Sequence, residues 1–185
     1  MLMSDARSKL TYYWRYFLVC RGNKVRFLRR EGARIGQGVD ILTSAANFGS
    51  EPWLIEIGHH VTIAAGVMFI THDGASRLFR TRIAGLNPRY GNRYGTIRIK
   101  DSCFVGMNAI ILPDVVIGPD AIVGAGSVVT HNVAPGTVVA GNPARPICSL
   151  EDYIARHLRK MIPLSAGDPA SKRRELTVSL WGEER

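Results

Sequence analysis

Residues 99–134 read IKDSCF, VGMNAI, ILPDVV, IGPDAI, VGAGSV and VTHNVA when cut into sixes. An aliphatic residue opens every block: Ile99, Val105, Ile111, Ile117, Val123 and Val129. Two places before four of these openers stands a small or branched residue: Ala109, Val115, Ala121 and Ser127. Residues two apart share one face of a strand. The Gly, Asn, Asp and Pro residues between them are turn formers. Each block is therefore a very short strand followed by a corner. Such a block cannot bury its apolar side alone, so the blocks must stack as coils of a parallel β-helix. An ordinary β-sandwich would place its turns at irregular spacings of about 8–12 residues instead.

The rhythm extends upstream. It begins at Ile35 and Gly36, slips between Asn47 and Trp53, and resumes at Ile57 and Ile63. It stops after Phe69-Ile70-Thr71-His72-Asp73 and returns only at Thr96. The silent segment, 73–95, carries Arg77, Arg80, Arg82, Arg89, Arg93, Tyr90 and Tyr94. A loop of that length thrown out of a regular solenoid is uncommon and usually functional.

The flanks have a different period. Leu10, Tyr13, Trp14, Phe17 and Leu18 make one helical stripe, and a second short helix is expected over Lys24 to Glu31 with Val25 and Leu28 inward. This segment, 1–32, is expected to cover the open end of the coil, where a bare sheet edge would lie. A second reading of its aromatics and arginines is peripheral docking on a membrane. The coil itself spans 33–148. In the remaining segment, 149–185, Ser149 is expected to cap a helix from Leu150 to Met161 with Leu150, Ile154, His157 and Met161 as its inner stripe. The polar chain beyond Pro163 is expected to be mobile or held by a partner.

Composition narrows the class. The 185 residues carry a net charge of +9, with 46% hydrophobic and 21% charged residues. That balance suits a phosphate-bearing ligand or an anionic surface, and no nucleic-acid-binding signature accompanies it. Three scattered cysteines, Cys20, Cys103 and Cys148, form no CxxC pair. They fit a reducing, cytoplasmic setting. The apolar run at Leu10–Cys20 is interrupted by Arg15 and is shorter than the roughly 20 residues of a membrane span.

The pieces Ile122 to Thr130, Ala140-Gly141-Asn142-Pro143-Ala144-Arg145 and Phe69 to Asp73 resemble the hexapeptide-repeat acyltransferases. The resemblance covers about Ile35 to Ile147. It is strongest to acetyltransferases that modify bacterial surface polysaccharides; galactoside, maltose and xenobiotic acetyltransferases share the plan. It implies a left-handed β-helix with three flat faces, whereas parallel crossovers in sheets are otherwise right-handed in about 98% of cases. It further implies a homotrimer, with acetyl-CoA held along the coils in the cleft between subunits.

Transfer of an acetyl group from a thioester to a hydroxyl needs a base, donors for the developing oxyanion, and a grip on the CoA arm. The resemblance places the catalytic histidine at His72, as the base that deprotonates the acceptor. Glu51 and Asp73 are both candidates to hold its other ring nitrogen. Corner glycines such as Gly106 leave backbone groups open to a long amide-bearing arm. By resemblance, the Met107 N–H meets the thioester oxygen and Ala125 bonds the pantetheine. Thr130 and His131 lie near the nucleotide, and Arg145 meets a phosphate. Asn47 matches an asparagine that reaches acceptor hydroxyls, and Glu51 and Asp73 are expected on the same substrate side. His59 and His60 read as corner residues and His157 as packing. No histidine pair has the five-residue spacing found in β-helical zinc lyases, so no metal is expected. The reading is an acetyl-CoA-dependent O-acetyltransferase acting on a sugar hydroxyl. An N-acetyltransferase or xenobiotic acetyltransferase, and a non-catalytic scaffold, are the alternatives.

Overall fold

The computed structural model describes residues 20, 22–83, 91–164 and 167–182. The expected helix over Leu10–Leu18 lies outside these residues. The chain divides into two units, Met1–Leu150 and Glu151–Arg185.

The first unit is built from strands of two or three residues. Three parallel sheets hold them. One contains β1 (Arg34–Ile35), β3 (Ile55–Ile57), β8 (Ile97–Ile99) and β11 (Val116–Ile117). The second contains β5 (Met68–Phe69), β10 (Ile110–Ile111) and β13 (Val128–Val129). The third runs β2 (Asp40–Ile41), β4 (Thr62–Ile63), β9 (Phe104–Val105), β12 (Ile122–Val123), β14 (Thr137–Gly141) and β15 (Ala144–Ser149). Only the last pair, β14 with β15, is antiparallel within these sheets. Successive strands visit the sheets in turn, so the chain winds as a three-sided coil.

The registers quantify the repeat. Ile99 pairs with Ile117, Val105 with Val123, and Ile111 with Val129, each eighteen residues on. Ile35 pairs with Ile57, twenty-two residues on, so the slip near Asn47 inserts four residues. Ile57 pairs with Ile99, forty-two residues on, so the arm inserts twenty-four. The openers point inward: Ile63, Ile99, Val105, Ile111, Ile117 and Val123 are fully buried. The residues two places before them, Val61, Ile97, Ala109 and Ala121 among them, are buried too. The corners include non-glycine residues in the left-handed region, among them Ser102, Asn108, Asp114 and Asp120. Short polar side chains tolerate that conformation best.

The first coil has its own cover. Helix α1 (Lys24–Arg30) buries Phe27 and Leu28, while Val25 is half-buried. Asn23 caps it through Arg26 N at 2.8 Å. Two of its cations then satisfy first-coil carbonyls. Lys24 Nζ donates to Ile41 O at 3.0 Å and Leu42 O at 3.2 Å. Arg29 Nη2 donates to Ile35 O at 2.8 Å and Gly36 O at 2.7 Å. Replacing both Lys24 and Arg29 by alanine is expected to lower stability by about 1–2 kcal/mol in urea unfolding.

The described parts of the 73–95 arm carry regular structure. Strand β6 (His72–Asp73) pairs antiparallel with β7 (Arg93–Tyr94), and helix α2 spans Ser76–Arg82. Arg93 Nη2 meets Asp114 Oδ2 at 2.8 Å, tying the returning strand to a coil corner.

In the second unit, α3 (Leu150–Leu158) ends three residues before the expected Met161. Its expected inner stripe is open, with Ile154 46% and Met161 69% exposed. His157 stacks on Tyr153 at 3.8 Å and donates to its carbonyl. The tail, for which no helix was expected, forms α4 (Pro169–Trp181). Asp168 caps it by accepting from Ala170 N and Ser171 N, and those bonds hold its carboxyl below the usual range. Pro169 in the first turn supplies the matching start signal.

Candidate active site

His72 stands where the coil ends and the arm begins. Its Nδ1 lies 2.9 Å from Glu51 Oε2. Thr71 Oγ1 donates to the same oxygen at 2.7 Å. The Glu51 side chain is 13% exposed and that of His72 27%. Glu51 reaches this point because the four-residue insertion forms two tight turns, Ala45–Phe48 and Pro52–Leu54. Gly49 joins them at φ +73°, ψ −162°, a conformation open essentially to glycine. A Cβ there would stand 3.4 Å from Phe69 O and 3.6 Å from Thr71 Oγ1.

Burial pushes the Glu51 carboxyl up, but the bonds from Thr71, Ser50 and His72, with the charge of His72, outweigh it and hold the group below the usual 4.5. Glu51 is therefore an ionised acceptor at neutral pH. An ionised carboxylate can only accept, so Nδ1 carries the proton in neutral imidazole and Nε2 keeps a lone pair.

The other expected residues sort clearly. Asp73, the rival orienter, accepts from Ala75 N at 2.8 Å instead. Asn47 donates through Nδ2 to Thr43 Oγ1 at 2.8 Å, and Thr43 donates to Val67 O at 3.0 Å. Tyr94, which register sets opposite His72, holds its ring 5.6 Å from the imidazole. Gly106, Met107 and Ala125 gather at a different corner. Gly106 N donates to Val123 O at 2.8 Å and Gly126 N to Met107 O at 2.7 Å, and the Met107 N–H takes no part in these bonds. Thr130 Oγ1 lies 2.7 Å from His131 Nδ1. Arg145, on β15, is exposed.

Met107 and Ala125 precede strands of the β5-β10-β13 sheet, and His72 and Thr130 follow them. The two groups thus mark opposite edges of one face. Its outward residues, Met68, Ile110 and Val128, are apolar, whereas the outward residues of the first sheet include Arg34, Glu56 and Arg98. A groove of about 660 Å³ lies at the third corner, beside Glu56, His59 and Lys100, and holds none of the expected site residues. Among the described residues no cluster of three or more His, Cys, Asp or Glu side chains is arranged to hold a metal.

Residues 96–131 match the family model "Bacterial transferase hexapeptide (six repeats)". The chain is 45% identical over 127 residues to Protein CapG of Staphylococcus aureus, covering 68% of this chain and 71% of that one. It belongs to the hexapeptide-repeat acyltransferase family. A 2,3,4,5-tetrahydropyridine-2,6-dicarboxylate N-acetyltransferase of Clostridium perfringens is 48% identical over 54 residues, 29% of this chain and 23% of that one. The solved hexapeptide-repeat acetyltransferase of Vibrio cholerae superposes with a TM-score of 0.53 at 23% identity, covering 68% of this chain and 78% of the other. That likeness concerns the fold.

Sequence reasoning assigned no part to Thr71 or Gly49. Thr71 sits beside His72 in the quoted motif, and Gly49 sits inside the slip, so position could have flagged both.

Proposed function

We propose that this acyltransferase is an acetyl-CoA-dependent O-acetyltransferase of a sugar hydroxyl, serving surface-polysaccharide biosynthesis in the cytoplasm. The observation that carries it is the His72–Glu51 pair, which engages Nδ1 and leaves Nε2 as the ring nitrogen available at the root of the arm. In this reading His72 Nε2 takes the proton of the acceptor hydroxyl as its oxygen attacks the thioester carbonyl. Glu51 accepts from Nδ1 throughout and stabilises the imidazolium. The Met107 N–H donates to the developing oxyanion. When the carbon–sulfur bond breaks, the imidazolium returns the proton to the departing thiolate. Ala125 and Gly106 line the pantetheine arm, Thr130, His131 and Arg145 the nucleotide, and Asn47 the acceptor. Asp73 shapes the turn into the arm.

Three copies complete the site. The base and the oxyanion donor lie on opposite edges of one face, so a neighbour's Met107 edge must meet this chain's His72. The apolar outward residues Met68 and Ile110 suit such packing. The coil, 33–148, is left-handed in this reading, 1–32 is its cap, 73–95 its arm, and 149–185 an appended helical segment. None of the described helices is long and apolar enough to cross a membrane.

The test is release of free thiol from acetyl-CoA against a panel of sugars, amino sugars and sugar nucleotides. Turnover confined to hydroxyl acceptors supports the reading. Preference for amines favours N-acetylation, in line with the Clostridium relative. Absence of acetyl-CoA binding by calorimetry returns the scaffold.

Glu51→Gln is expected to lower kcat about a hundredfold, because an amide no longer fixes the tautomer. It also has a pH signature. The folded-state value of Glu51 lies below its unfolded value, so its network adds stability above about pH 4.5 and loses it as pH falls further. The stability gap between wild type and Glu51→Gln should therefore close in acid, as measured by urea unfolding at several pH values.

A further inference from the structure

One hydroxyl, of Thr71, and one imidazole, of His72, converge on the Glu51 carboxylate. The Thr71 hydroxyl is almost wholly enclosed. Thr71 is 2% exposed, and its Oγ1 stands 2.7 Å from the same Glu51 Oε2 that His72 Nδ1 meets at 2.9 Å. Glu51 is an acceptor, so the Thr71 hydroxyl must donate to it. The main chain of Thr71 is fixed as well, since its carbonyl accepts from Gly95 N at 2.9 Å where the arm returns. Gly49, in the segment that carries Glu51, also passes close by: a Cβ there would stand 3.6 Å from Thr71 Oγ1. A carboxylate bonded by His72 alone could swing about its last torsion and carry the imidazole with it. A second donor on the same oxygen, anchored in a rigid coil, removes that freedom.

We infer that Thr71 is a positioning residue: its buried hydroxyl locks the Glu51 carboxylate so that Nε2 of His72 keeps one direction toward the acceptor. Thr71 touches no reactant and acts only through Glu51. The inference rests on the proposed roles of His72 and Glu51 as base and orienter. It adds a third member to that pair and explains why a carboxylate in a largely enclosed site stays ionised.

Thr71→Val keeps the shape and removes the hydroxyl. The expected result is a fall in kcat of about tenfold, the scale of one charge-assisted hydrogen bond, with KM for acetyl-CoA unchanged. Thr71→Ser should restore most of the rate. In carboxyl-labelled protein the Glu51 titration should move upward in Thr71→Val, because a bond that holds the group down is gone. The decisive measurement is the double-mutant cycle with Glu51→Gln. If Thr71 works through Glu51, Thr71→Val costs nothing further in the Glu51→Gln background. Equal losses in both backgrounds, or a normal rate in Thr71→Val, overturn the inference. Should valine prevent folding, Thr71→Ala takes its place in the same cycle, with the same two outcomes. A Glu51→Gln enzyme of normal rate instead brings down the underlying reading of the pair, so the two failures are distinguishable.

Discussion

Replacing His72 by alanine is expected to reduce acetyl transfer to a hydroxyl acceptor about a thousandfold while leaving the fold intact. The size follows from general-base catalysis, which contributes typically about 10²- to 10⁴-fold. A neutral hydroxyl is a poor nucleophile, and among the described residues no other histidine bonds Glu51, whose carboxylate meets Thr71 and His72. Stability should change little, because the His72 side chain is partly exposed and its bond to Glu51 is one of several holding that carboxylate. KM for acetyl-CoA should stay near wild type, since His72 is proposed to act on the acceptor hydroxyl and is not among the residues proposed to grip that substrate. The check is steady-state kinetics beside thermal unfolding. A folded variant that retains near-normal turnover would remove His72 from the mechanism. An amine acceptor supplies a stronger nucleophile, so a much smaller loss with amines than with hydroxyls would identify N-acetylation as the native reaction.

Much of the coil was legible because its period is local. The six-residue spacing of Ile99, Val105, Ile111 and Ile117 dictates which side chains turn inward, and all four are fully buried. The slip at 47–53 and the silence at 73–95 were equally legible, and they resolve into insertions of four and twenty-four residues in the pairing registers. The site was only half legible. Sequence offered Glu51 and Asp73 alike as holders of the His72 ring nitrogen, and tertiary geometry decided between them: Glu51 Oε2 stands 2.9 Å from His72 Nδ1, while Asp73 is consumed by its own turn at Ala75. Helix α4 escaped because a polar segment lacks the apolar stripe that reveals most helices; its signal was the cap alone, Asp168 followed by Pro169. The bonds of Lys24 and Arg29 to the first coil depend on where the open end lies and leave no periodic trace.

Gly106→Ala is expected to cost about 3 kcal/mol, a large loss for a single methyl group. A Cβ at Gly106 would stand 2.6 Å from Ala125 N, 2.8 Å from Val123 O and 2.9 Å from the Gly124 carbonyl carbon. All three atoms are backbone of the next coil, and none can rotate away. Relief requires the two coils to part, which breaks the Gly106 N to Val123 O bond of 2.8 Å. Gly126 provides the control. It lies at φ +69° with nothing within 4 Å of a Cβ, so Gly126→Ala incurs only backbone strain, about 1–2 kcal/mol. Urea unfolding should therefore rank the two variants, with Gly106→Ala the less stable. For a chain of this size its loss corresponds to a melting temperature lower by roughly 10 °C. The comparison separates two reasons for a corner glycine. If Gly106 is demanded by coil stacking, Gly106→Ala melts early but binds acetyl-CoA normally well below its melting point. If instead an approaching ligand demands it, the variant keeps its melting temperature and loses affinity. The backbone distances favour the first outcome.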